Sequence, residues 1–139
     1  MLKNALTNIS AREAIARIAR KHGLRLVVLY GSVARGSETA MSDIDIGVLG
    51  TTLIPHEGEA VIAEELSKAT GMPRIEVKSL HHASPLFLDQ VMRGIVLFAD
   101  TPTRAQEVAL YAWKLAAESQ PLRDARFKRV RERAVAYAQ

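Results

Sequence analysis

Cysteine is absent from this 139-residue chain. That excludes disulfides and thiolate zinc sites, and the expected location is cytoplasmic. Aromatic residues are only 5% of the composition, so a core has to come mainly from Leu, Ile, Val and Ala. No apolar run approaches the roughly 18–20 residues of a membrane helix, and no membrane association is expected. Glu, Asn and Arg interrupt the N-terminal stretch, so it lacks the apolar block of a signal peptide. Internal repeats, low-complexity tracts and long linkers are also missing. The expectation is therefore a single domain over residues 1–139, long enough to bury a core of its own.

What is present is ordinary for a globular domain: 48% hydrophobic and 24% charged residues. The formal net charge is +4 and the pI about 9.7. This mild excess suits an anionic ligand such as a nucleotide, or an acidic partner surface. It does not demand DNA or RNA, because simple solubility explains it as well.

Ser10 and Glu13 form a capping-box pattern ahead of Ala14, Ile15, Ile18 and Ala19 at helical spacing. Arg20, Lys21 and His22 give that helix a basic last turn, and Gly23 stops it. Leu24 to Tyr30 is apolar and reads as a buried strand from Leu26 that ends at Gly31. Ser32 to Arg35 reads as a short helical turn closed by Gly36, then a loop to Ser42. Asp43 to Leu49 reads as a second strand, with Asp43 and Asp45 on one face and Ile44, Ile46 and Val48 on the other. A helix is expected over His56 to Ala69, and a third strand over Arg74 to Leu80. Ser84 caps a helix with Pro85 in its first turn that runs to Arg93, and Ile95 to Ala99 is a fourth strand. Thr103 caps a longer helix to about Ser119, Pro121 breaks it, and a last helix covers Leu122 to Tyr137. Helices alternate with strands, which predicts an α/β or α+β layer structure with a small sheet.

Two features bear on chemistry. Asp43 and Asp45 are two apart in an apolar strand, where unpaired carboxylates repel and are costly to desolvate. A divalent cation such as Mg²⁺ would answer that charge. A solvated strand face would make the same Asp-x-Asp pattern harmless. Gly31-Ser32, at the end of a strand and the start of a short helix, offers backbone amides and a hydroxyl to a phosphate. Taken alone it is equally a tight turn capped by serine. Gly31 and Gly36 are followed by Ser37-Glu38, so this is no Walker A loop, and the G-x-G-x-x-G spacing is missing. Together the two halves are complementary: phosphate-binding amides on one strand end and metal-binding carboxylates on the next.

In this combination, GSVARGSETAMSDIDIGV resembles the G-S-x(10)-D-x-D signature of the polymerase β nucleotidyltransferase superfamily. The LYGSVARG lead-in and the SDID run resemble its minimal nucleotidyltransferase (MNT) group, the antitoxin partners of HEPN ribonuclease toxins. The resemblance covers roughly Leu24 to Ala99 and implies the polymerase β-like fold, a small mixed sheet with packed helices. It implies that Asp43, Asp45 and a third carboxylate hold two Mg²⁺ ions. In this chain that third position is filled by Glu76, where the family usually has Asp. Gly31 and Ser32 would position ATP, and Arg35 would neutralise phosphate charge or form a surface salt bridge. Glu76 would take the proton of the attacking hydroxyl. The expected function is transfer of AMP from ATP to a tyrosine of a HEPN toxin, which would silence the toxin within a hetero-oligomer. Two alternatives are an antitoxin that neutralises its partner by binding alone, and a small-molecule nucleotidyltransferase, for which little chain remains to build a pocket.

His81-His82 reads as a solvated turn rather than a metal site. Arg123, Arg126, Lys128, Arg129, Arg131 and Arg133, diluted by Asp124 and Glu132, read as a solvated helix face rather than a nucleic-acid interface. Tyr111 and Trp113 are assigned to the core or to a protein interface.

Overall fold

A computed structural model describes residues 2–39 and 41–138, without the side chains at 122, 123, 127, 137 and 138. Arg123 of the basic stretch therefore lies outside the described side chains. Four strands, β1 (Leu24–Tyr30), β2 (Ile44–Gly50), β3 (Ile75–Ser79) and β4 (Ile95–Ala99), form one sheet in the order β3-β2-β1-β4. β1 is antiparallel to β2 and to β4, and β2 runs parallel to β3. The sheet is therefore mixed, as the family resemblance implies.

Helices α1 (Leu2–Thr7), α2 (Ile9–Lys21) and α4 (His56–Thr70) cover one face, where Leu6, Ile15 and Ile62 pack on Val27, Leu29, Ile46 and Val48. Helices α5 (Pro85–Val91) and α6 (Arg104–Ala138) cover part of the other, where Leu88, Val91 and Ala112 meet Leu26, Val28 and Leu80. The short α3 (Gly31–Arg35) links β1 to β2. Each face follows from strand alternation: Ile44, Ile46 and Val48 are buried, and Asp45 between them and Leu49 after them are turned to the opposite side. Ile46 is 0% exposed. Ile46→Ala should cost about 2–5 kcal/mol, read as a lower denaturant midpoint in urea unfolding.

Several boundaries differ from expectation. The cap of α2 is Asn8, whose Oδ1 accepts from the Ala11 amide at 2.9 Å, not Ser10. An additional helix, α1, precedes it and buries Leu6 completely. Asp43 stands just before β2 rather than in it. Pro121 does not end a helix: α6 runs unbroken through it for 35 residues. Proline removes one helical hydrogen bond and crowds the preceding turn. Here it falls one turn past Ala116, the last buried side chain of α6 among the described residues, where no packing redirects the chain. The Gln120 amide donates to Asp124 Oδ1 at 2.9 Å across it. Tyr111 and Trp113 are each 60% exposed, so they lie outside the core. Arg126, Lys128, Arg129, Arg131 and Arg133 are exposed as well.

Candidate active site

β1 ends in Tyr30 and the chain turns at once through Gly31, whose φ of 77° is left-handed. Two constraints act on this glycine. The conformation disfavours a side chain, and a Cβ there would overlap Asp45 Oδ2. Gly31 thus lets the backbone pass close beside the Asp45 carboxylate. It opens α3, which Gly36 closes with φ 72°. A single turn of helix has little macrodipole, so what α3 can offer an anion is the amides of its first turn and the Ser32 hydroxyl.

The sheet register builds the rest. Tyr30 is opposite Asp45 in the β1–β2 pairing, and Asp45 is opposite Glu76 in the β2–β3 pairing. The three side chains form a row across three strands, on the sheet face that α5 and α6 cover only in part. Asp43 precedes the same strand end. Tyr30 and Asp45 are half-buried, while Asp43 and Glu76 are exposed.

This crowding has electrostatic consequences. Burial, and then the charges of Glu76 and Asp43, hold the Asp45 carboxyl above its ordinary range, and Lys78 and Arg35 oppose the shift. Burial, followed by Asp45 and Glu76, pushes the Tyr30 hydroxyl up to about 12. Tyr30 is therefore an O–H donor at neutral pH. Its ring meets Phe87 of α5 edge-on, with centroids 5.6 Å apart. The Lys78 ammonium lies 5.4 Å from the Phe87 centroid.

A carboxyl with a raised pKa in the fold binds its proton more tightly there than in the unfolded chain. The stability it contributes is present at low pH and lost as pH rises through the folded value. Ionised Asp45 therefore costs stability at neutral pH. Asp45→Asn should raise Tm at pH 7 in the presence of a chelator, and the gain should shrink as pH falls through the raised folded value and be gone below the ordinary carboxylate value of about 3.9. Thermal scans across pH check both.

Asp43, Asp45 and Glu76 form an all-oxygen donor set, which suits a hard divalent cation, and their mutual repulsion is what such a cation would relieve. As they stand, no three His, Asp or Glu side chains among the described residues converge into a closed metal cage. Arg35 is exposed on α3 and close enough to Asp45 to act on its charge. The structure thus brings Gly31, Ser32, Arg35, Asp43, Asp45 and Glu76 to one end of the sheet. His81 and His82 lie away in an exposed turn, stacked edge-to-face at 5.0 Å.

Three residues of this region escape sequence reasoning as site members. Tyr30 and Lys78 share strand parity with the acidic positions, and alternation alone points to them. Phe87 reaches the site only through the docking of α5, for which no local signal exists.

Residues 13–103 match the family model described as polymerase beta, nucleotidyltransferase. No curated protein sequence matches the chain. Among solved structures, a chain of a toxin–antitoxin complex with AMP-PNP is 24% identical, with TM-score 0.72, covering 86% of this chain and 97% of that one. A chain of a tri-AMPylated Shewanella oneidensis HEPN toxin in complex with MNT antitoxin is 23% identical, with TM-score 0.65, covering 86% and 94%. A chain of a mutant MntA–HpeT toxin–antitoxin is 26% identical, with TM-score 0.69, covering 85% and 95%. At these identities the two former likenesses bear on the fold alone. The family match spans well over half of the sequence and contains every residue of the site described above, and on that basis the chain belongs to the polymerase β nucleotidyltransferase family.

Proposed function

We propose that this chain is a Mg²⁺-dependent adenylyltransferase that moves AMP from ATP to a tyrosine of a HEPN ribonuclease toxin, and so acts as its antitoxin. The observation that carries the reading is the cross-strand row of Tyr30, Asp45 and Glu76 with the Gly31 turn against Asp45. The likeness to chains of toxin–antitoxin complexes, one with AMP-PNP and one with an AMPylated HEPN toxin, supports the choice of nucleotide and partner. We take the whole chain as one nucleotidyltransferase domain, with α6 as its C-terminal extension.

The Gly31–Val33 amides and the Ser32 hydroxyl bind phosphate oxygens, and Arg35 neutralises part of their charge. Glu76 accepts the proton of the acceptor hydroxyl. The hydroxyl oxygen bonds to the α-phosphorus, the bond from that phosphorus to the bridging oxygen breaks, and pyrophosphate leaves. Tyr30 keeps its proton and anchors the row beside Asp45. Asp43, Asp45 and Glu76 are the residues that would hold Mg²⁺, which when bound supplies charge neutralisation at the reacting phosphate.

The test is label transfer from α-labelled ATP to a HEPN protein, with Mg²⁺. Asp43→Ala/Asp45→Ala should abolish it and, in cells, release the toxin. Full protection by the double variant would overturn the enzymatic reading in favour of neutralisation by binding. Transfer to a small molecule, with the HEPN protein unlabelled, would favour the antibiotic-modifying kind of nucleotidyltransferase.

A further inference from the structure

Beside the acidic row is a cleft of about 480 Å³ that the residues discussed so far leave largely unused. Gly31 and Arg35 line one wall, Phe87, Gln90 and Arg93 the other, and Ile95 belongs to its lining. Its size falls within the range of small-ligand sites. We infer that this cleft is the nucleoside pocket of the proposed reaction, and that Gln90 reads the adenine edge. The inference rests on the nucleotidyl-transfer reading and adds the location and specificity of the nucleotide.

Three observations carry it. First, the cleft begins at Gly31, the residue to which the phosphate-binding role is assigned, so a triphosphate held there has its nucleoside within reach. Second, the lining chemistry is that of a nucleotide site. Phe87 supplies an aromatic ring already fixed by its edge contact with Tyr30. Arg35 and Arg93 bring positive charge from opposite walls, and Arg93 is held by Asp89 at 3.2 Å. Gln90 is exposed and carries both an amide donor and a carbonyl acceptor. That pair matches the Hoogsteen edge of adenine, an N6 amino donor beside the N7 acceptor, and mismatches guanine there, whose O6 and N7 both accept. Third, the sheet order separates the two substrates. The cleft flanks β1 and β4, while Glu76 stands on β3 at the opposite edge, across Asp45. The acceptor hydroxyl can then reach the α-phosphate from the β3 side, opposite the departing pyrophosphate as an in-line displacement requires, without meeting the nucleoside.

Binding measurements on the full chain, without acceptor, test this. Kd is measured for ATP, GTP and inorganic tripolyphosphate in wild type and in Gln90→Leu. Gln90 is on the surface of α5, so the variant keeps the core intact. Wild type should bind ATP more tightly than GTP or tripolyphosphate. Gln90→Leu should weaken ATP about tenfold or more, close the gap between ATP and GTP, and leave tripolyphosphate unchanged. Arg93→Met is expected to weaken ATP as well. ATP affinity unaffected by Gln90→Leu, or ATP and tripolyphosphate weakened in parallel, would overturn the pocket assignment while leaving nucleotidyl transfer in place. Wild-type protein that binds neither ATP nor tripolyphosphate would overturn the functional reading itself.

Discussion

Gly31→Ala should reduce adenylyl transfer by about 100-fold or more, with only a small loss of stability. The two effects have separate causes. An alanine at a left-handed φ costs about 1–2 kcal/mol, which a well-packed sheet tolerates, as the turn lies at the end of β1 and not in the core. The functional loss is steric. The added methyl would overlap Asp45 Oδ2, so either the carboxylate or the start of α3 must move. Both hold assigned reacting groups, and misplacement by about 1 Å commonly costs about 100-fold. Transfer rates alongside thermal unfolding separate the causes. A folded Gly31→Ala protein with wild-type activity would show that Asp45 and the α3 amides do not act at one centre.

The second large effect is expected at Glu76. Glu76→Gln keeps the size and the register but removes the proton acceptor, and should slow transfer by about 10²- to 10⁴-fold. Glu76 is exposed, so Tm should hardly change, or rise slightly as the repulsion with Asp45 disappears. Glu76→Asp keeps the carboxylate on a side chain one methylene shorter. Partial activity in Glu76→Asp and near-complete loss in Glu76→Gln identifies the carboxylate, and not its length, as the requirement. Equal activity in both variants and in wild type would remove Glu76 from the reaction.

The parts of the site legible in the sequence are those close together in the chain. Gly31, Ser32, Asp43 and Asp45 belong to one hairpin, and their spacing survives any error in element ends. Glu76 was reachable because strand alternation and the family resemblance both point to it. The pairing of Asp45 with Glu76 was not, because it depends on the parallel register of β2 and β3. Local rules also failed where tertiary context is weak. Pro121 signals a helix break, yet in an exposed stretch beyond the core nothing competes with continued helix. Ser10 and Glu13 offered a plausible cap, but Asn8 fills the position, because α1 ends immediately before it. Trp113 is exposed on α6, and hydrophobicity alone could not tell its position from that of buried Ala112 beside it.

The strand order has a consequence for when the protein becomes competent. β1, made early in synthesis, lies inside the sheet, and its second neighbour, β4, is not reached until Ile95–Ala99. Contacts so distant along the chain close late and slowly. Phe87, Gln90 and β4 are all C-terminal to the acidic row. A chain still on the ribosome can carry Gly31, Asp45 and Glu76 and yet have no finished cleft beside them. The cleft is complete only once the final strand has docked.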